Sequence, residues 1–389
     1  MEEWSTFNVE RPEEDDESVL DHFLTRTPRE WRDEWEHAPN VVRTSQGCLT
    51  SGQWFIDTDL KLRAMMGHRA WLGLLVRQSE NDYESFNYLD FQFNFPTAWG
   101  TLGAAYRPFH DKSRQDLTLT YELGADTLTQ HLQVAFAFED VFNNFWAFRQ
   151  TRVGDLAEPY EKRPYEPGLR WTLRQPGLRI DVGGRYLTPS EKRVIDYSQP
   201  ITDRLVTIWG TIANASIEAH ALGFEWEATT ENKQARSTDA PADGSMADNA
   251  DFERRWSVEG VLRRWLRDDL VAEMRYVYQD RDANRGPPMG PSTFGGIDRM
   301  TEGELRWRFH PRFVARAGGM YDKISIAQAG PYHVPSYGSR KESRAFVSLQ
   351  ARFGNITVAG VEGIELDNEP YRNSFYFHDK GFLQLQATF

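Results

Sequence analysis

Arginines recur at even-numbered positions between residues 306 and 352, among them Arg306, Arg308, Arg312, Arg316, Arg344 and Arg352. In an extended chain alternate residues share a face, so successive strands carrying them would present these guanidinium groups on one wall. Each guanidinium is a permanent cation whose planar fork of donors fits a carboxylate or a phosphate. Along a passage, such a row lowers the barrier for anions. Glu302, Glu304 and Asp322 lie on the same face, and pairing across neighbouring strands would instead make the row a brace for the wall. The residue types support both outcomes. Arg63, Arg179, Arg185, Arg263 and Arg275 fall on the charged face of other alternating segments and extend the same set.

Residues that would carry covalent or metal chemistry do not fall into the patterns such chemistry needs. The chain has no Walker loop, no GxSxG, no HExxH and no Cys/His cluster. A single cysteine, Cys48, excludes an intramolecular disulfide. Asp280, Asp282 and Asn284 have the spacing that opens a calcium loop, but Arg285 stands where the required Gly belongs and Pro291 where the closing Glu belongs. His131, His220 and His310 lack any serine or carboxylate that spacing would assign as a partner. The sequence predicts no enzyme, no metal and no cofactor.

The elements that must position the arginines have a period of two. From about residue 50 to the last residue, apolar and charged side chains alternate: Ile56, Leu60 and Leu62 against Asp57, Lys61 and Arg63, or Val347, Leu349 and Phe353 against Ser348, Gln350 and Arg352. Each such segment reads as a strand with one apolar and one polar face. Aromatics make up 13 % of residues and charged residues 26 %, a mixture that intrinsic disorder does not have. The longest apolar run, Ala70 to Val76, is far shorter than the ~20 residues a membrane-crossing helix needs.

The connections alternate as well. Tight ones are expected near Gly67 to Arg69, Thr97 to Trp99, Gly124 to Asp126, Gln175 to Gly177, Ala213 to Ala215, Arg267 to Asp269, His310 to Pro311 and Gly354 to Asn355. Long polar ones fall between, at about 81–84, 108–115, 139–167, 188–202, 230–250, 282–298, 327–342 and 367–379. Sixteen connections give 17 strands, and a single-chain bacterial barrel needs an even number. A further strand within Asn40 to Thr50 gives 18 and a miscounted hairpin gives 16; the downward course of the segment from 52 to 66 favours 18.

Charge is concentrated at the start of the chain. Residues 1–40 hold 13 acidic residues against 4 arginines, −9 of a net −13, so the remainder is nearly balanced and offers no surface for nucleic acid. No basic region and apolar core follow Met1, so no signal peptide is expected in this chain. Within residues 17–36, Val19, Leu20, Phe23, Leu24, Trp31 and Trp35 approach helical spacing across Pro28, which predicts two short amphipathic helices. The expected division is an acidic, partly helical, periplasmic extension over 1–48 and a barrel over 49–389.

At the C-terminus Leu383, Leu385, Ala387 and the terminal Phe389 share one face. With the turn asymmetry, a last strand ending in an aromatic residue resembles the outer-membrane β-barrel proteins of Gram-negative bacteria, of the porin-like kind. The resemblance covers roughly residues 50–389. It implies an all-β, antiparallel up-and-down transmembrane barrel of 16 to 18 strands in the outer membrane. It also implies surrounding phospholipid and lipopolysaccharide, and Phe389 as a signal read by the barrel-assembly machinery.

Two functions follow from such a barrel. The first is a channel for small polar or anionic solutes with an Arg-lined lumen. In porin-like barrels a long loop commonly folds inward, and Phe142, Phe145, Trp146 and Arg149 in the 139–167 stretch are the candidates for that constriction. The same aromatics would equally suit a girdle at the membrane interface. The second is a scaffold that sheathes a partner protein, for example an electron-transfer cytochrome, with residues 1–48 contacting a periplasmic or lumen-bound protein.

Overall fold

The computed structural model describes residues 38–48, 54–67, 70–81, 85–107, 115–123, 129–139, 161–162, 165–196, 202–241, 249–285, 292–330, 333–366 and 380–389. The expected N-terminal helices and the constriction candidates Phe142, Phe145, Trp146 and Arg149 lie outside these residues.

The described chain is entirely β. Its first half consists of β1 (Val41–Cys48), β2 (Trp54–Met66), β3 (Ala70–Asn81), β4 (Ser85–Pro96), β5 (Gly100–Tyr106), β6 (Gln115–Leu123), β7 (Gln130–Glu139), a two-residue β8 (Glu161–Lys162) and β9 (Glu166–Gln175). Longer strands follow: β10 (Leu178–Asp196), β11 (Thr202–Ala221), β12 (Phe224–Pro241), β13 (Asn249–Arg267), β14 (Leu270–Arg285), β15 (Ser292–His310), β16 (Phe313–Gly330) and β17 (His333–Phe353). The wall ends with β18 (Ile356–Glu365) and β19 (Lys380–Thr388).

Every neighbour in sequence is an antiparallel neighbour in space, except that β7 pairs directly with β9 and β8 pairs only with β10. The sheet closes where β1 joins both β2 and β19, with Val41 opposite Thr388 on one side and opposite Lys61 on the other. Leaving aside β8, the ring has 18 strands, which excludes the 16-strand count. β1 belongs to the ring, so the barrel begins within the stretch that composition assigns to the extension. At ordinary strand spacing and tilt, such a ring is about 35 Å across, too wide for side chains to fill.

Two expectations from sequence are corrected. The tight turn expected at Ala213 to Ala215 is the middle of β11, paired with β12 from Ala221 opposite Phe224 onward. The turn lies at Leu222–Gly223, where both residues have positive φ, 58° and 76°. That is the mirror-image two-residue turn that matches strand twist, and leucine is a poor advertisement for it. The other correction concerns the polar stretches expected as loops at 188–202, 230–250, 282–298 and 327–342, most of which are strand. β10 to β17 run for 16 to 21 residues, whereas a membrane-crossing strand needs about 10. One side of the barrel therefore stands about 20 Å taller than the other. Where the wall is in water both faces turn polar, so apolar alternation stops although the hydrogen-bonded ladder continues.

The outer face is apolar. Leu72, Phe91, Phe136, Leu169, Met274, Leu305, Val347 and Leu383 are all more than 40 % exposed on it. Aromatic girdles bound the band on the tall side. Trp307, Phe309, Phe313 and Phe353 follow one another in contact near the short turns, tilted, stacked and edge-on in turn, with centroids 5.5–6.4 Å apart. Trp256 meets Tyr278 edge-on at 5.5 Å farther up. Above the upper girdle the outward face becomes charged, with Arg254 bridging Asp282 at 2.5 Å and Asp280 at 3.7 Å. The calcium-like Asp280 and Asp282 are thus counter-ions of an arginine on a strand, and Asp282 accepts its hydrogen bond.

Candidate channel interior

Strand alternation fixes which side chains reach the lumen, and register fixes which of them meet. Arg263 on β13 sits opposite Glu225 on β12 and Glu273 on β14. It donates to them at 3.0 and 2.8 Å and is 3 % exposed. One step along, Arg275 donates to Glu259 at 2.7 Å and lies 3.7 Å from Glu302. Arg316 on β16 grips both oxygens of Glu304 at 2.7 and 2.5 Å. A buried ion needs a counter-ion and filled hydrogen-bond positions, and each of these arginines receives a carboxylate from an adjacent strand.

The flanking parts of the wall repeat the arrangement around acids. Asp181 accepts from Thr172 at 2.5 Å, Arg179 at 2.8 Å and Arg170 at 3.1 Å. Asp59 is held between Arg43 and Arg77, at 2.5 and 2.8 Å. Arg185 lies 3.7 Å from Glu166, and Arg63 stacks over Trp71 at 4.5 Å. His131, for which spacing assigns no partner, has Nδ1 3.1 Å from Glu122 on the next strand, a diagonal contact that only register creates.

Between these charges lies an apolar patch that the sequence reading missed. Phe55, Met300, Met320, Phe346 and Phe382 are inward residues at most 6 % exposed, with Val277 and Val361 packed against them. Phe346 covers Gly318, where a Cβ would come within 2.6 Å of the ring. The available signal was parity: Met300 shares its face with Glu302 and Glu304. Arg344, opposite Met320, is 2 % exposed at the margin of this patch.

The remaining arginines do not continue up the wall. Arg306, Arg308, Arg312 and Arg352 line one pocket of about 190 Å³ at the short-turn end, together with Val271, Val314 and Thr357. A bulge between Trp307 and His310 redirects the end of β15, and Arg312 lies in the turn that follows. Asp269 is the only carboxylate among the described residues lining this pocket. It is already occupied, accepting from Arg267 at 2.9 and 2.8 Å and from the Trp307 indole at 3.0 Å. Partial burial would raise its pKa, but these donors together hold the carboxyl below its ordinary range. The larger hollow, about 1160 Å³, is on the outer wall over Leu305, Ala317, Val347 and Leu383, where it faces lipid.

A closed antiparallel barrel with a girdled apolar exterior and a charged interior is an outer-membrane β-barrel: only closure satisfies every backbone group in hydrocarbon. No protein-family model matches the chain, and no curated protein matches it in sequence. Among solved structures it is similar to CdiB from Acinetobacter baumannii, with 10 % identity and a TM-score of 0.47 over 90 % of this chain and 60 % of that one. The chain thus spans about 60 % of the length of CdiB. It is also similar to OccK11 (OpdR) of Pseudomonas aeruginosa, with 11 % identity and a TM-score of 0.45 over 90 % and 94 % of the two chains. The trimer form of OmpT, an outer membrane protein of Vibrio cholerae, gives 12 % identity and 0.40 over 90 % and 97 %.

Proposed function

We propose that the protein is a porin-like channel that passes small polar or anionic solutes across the outer membrane. The observation that carries this reading is the placing of two exposed arginines, Arg308 and Arg312, at one mouth, while Arg263, Arg275 and Arg316 inside are matched by glutamates. The paired residues brace a near-neutral wall, and the mouth supplies the anion preference. With the short turns on the periplasmic side, as in barrels of this kind, the arginines face the periplasm. We read the chain as a conduit and not as a catalyst, surrounded by phospholipid and lipopolysaccharide and assembled through its terminal strand.

The test is conductance of the purified chain in a planar bilayer under a salt gradient. Steady steps with a reversal potential favouring anions support the channel, and Arg308→Gln with Arg312→Gln should move that potential toward zero. Silence, or a very large unselective leak, would favour the sheath reading, in which a partner protein fills the bore.

A further inference from the structure

We infer that the outer wall over β15, β16 and β17 is a docking site for a lipopolysaccharide molecule, with its lipid phosphates on the row Arg299, Lys323 and Lys341 and its acyl chains in the hollow below. The three cations share the outward face with Leu305, Tyr321 and Val347. They stand on neighbouring strands in direct register, Arg299 opposite Lys323 and Lys323 opposite Lys341. Like charges placed directly opposite repel, and none of the three forms an ion pair among the described residues. The outward carboxylates of the adjoining strand β14, Asp280 and Asp282, are taken by Arg254. Arg299 and Lys341 are exposed, and the Arg299 guanidinium lies 5.8 Å from the centre of the Tyr278 ring. That ring belongs to the upper girdle, so the row stands where lipid headgroups begin. Cations gathered at this level without counter-ions of their own call for phosphate.

The same strands carry the apolar half of the site. Leu305, Ala317 and Val347 form a second row in direct register, each six residues nearer the short turns than the cation on its strand. The two rows are thus about 20 Å apart along the strands. The lower row lines the outer hollow of about 1160 Å³, together with Leu349, Gly360 and Leu383. Glu362, the hollow's one acid among the described residues, is on β18, outside the three strands that carry the cations. With the short turns on the periplasmic side, the cations lie in the outer leaflet. The lipid of that leaflet that joins phosphates to several acyl chains is lipopolysaccharide.

The site goes beyond the channel reading, and its test does not depend on conductance. Native mass spectrometry of the full-length folded chain in detergent, titrated with purified lipopolysaccharide, should show a bound molecule. Arg299→Gln, Lys323→Gln and Lys341→Gln together should weaken it roughly a hundredfold, as expected when three cations are lost at a lipid surface. Ala317→Trp, which fills the hollow and leaves the row intact, should weaken it as well. Arg236→Gln, which removes an exposed cation on β12, should leave binding unchanged. Lipopolysaccharide stripped of its phosphates should bind the unaltered chain and the triple variant alike. Undiminished binding by the triple variant or by Ala317→Trp would overturn the proposal, as would an equal loss in Arg236→Gln, which would mean that total charge decides. Phosphatidylglycerol bound as tightly, or lipid displaced by inorganic phosphate, would also overturn it, by assigning the row to any anionic lipid or to a free anion.

Discussion

Arg316 on β16 donates from Nε and Nη2 to the two carboxylate oxygens of Glu304 on β15, at 2.7 and 2.5 Å. The pair is a two-point clasp on the inner wall, with side chains 15 % and 8 % exposed. Removing one member strands the other. Glu304→Gln should destabilise the barrel by about 2–3 kcal/mol, near the low end for a buried pair because Arg316 keeps some water. Combining it with Arg316→Met should cost less than Glu304→Gln alone. Urea unfolding followed by the gel shift between folded and unfolded barrel measures both; a double variant worse than the single one would mean the clasp is not what Glu304 supports.

Gly318 is kept small by its neighbours. A Cβ there would meet the Gly303 carbonyl at 2.5 Å and the Phe346 ring at 2.6 Å. Gly318→Ala should therefore cost about 1–3 kcal/mol by overpacking. Adding Phe346→Leu should recover part of that loss and not all, since the carbonyl contact remains. Equal stability of Gly318→Ala and the unaltered protein would show that the ring moves aside freely.

Asp269 supplies a pH dependence with a definite sign. Its carboxyl is held below the ordinary range in the folded turn by the Trp307 indole and Arg267. The stabilisation is complete above the unfolded pKa and disappears as pH falls through the lower folded one. The stability difference between the unaltered protein and Asp269→Asn should thus be constant down to about pH 5 and shrink below about pH 4. A difference that grows on acidification would contradict the assignment.

The tall side of the barrel should be wet outside its upper girdle. On the outward face of β12, Ala228 lies low in the apolar band and Arg236 eight residues higher. In a Cys48→Ser background, Arg236→Cys in membrane vesicles should react with a membrane-impermeant maleimide at least tenfold faster than Ala228→Cys. Equal protection of both thiols would place the upper wall in lipid.

The barrel was largely legible because its physics is local. Alternation of Leu89, Phe91, Phe93 and Phe95 with Asp90, Gln92 and Asn94 fixes a strand with two unlike faces, whatever lies beside it. Legibility failed where local chemistry and backbone pairing part company. Leu222 gives no sign of a left-handed turn, and Ala213-Asn214-Ala215 imitates one inside a strand. The polar upper halves of β10 to β17 read as loops because water on both faces removes the apolar half of the pattern.

The β class and the sharing of faces among side chains were set by the sequence, whereas the strand number stayed between 16 and 18 until β1 was found in the ring. The first two follow from a period of two and the last from closure. Only the tertiary structure decided which charges meet: that Arg263 lies between Glu225 and Glu273, that His131 faces Glu122, and that Arg308 and Arg312 join Arg352 at a mouth while Arg316 closes on Glu304. The reason is register. Sliding one strand by two residues preserves every face and every apolar contact with lipid, yet gives each arginine a different partner, so alternation alone cannot choose among the pairings.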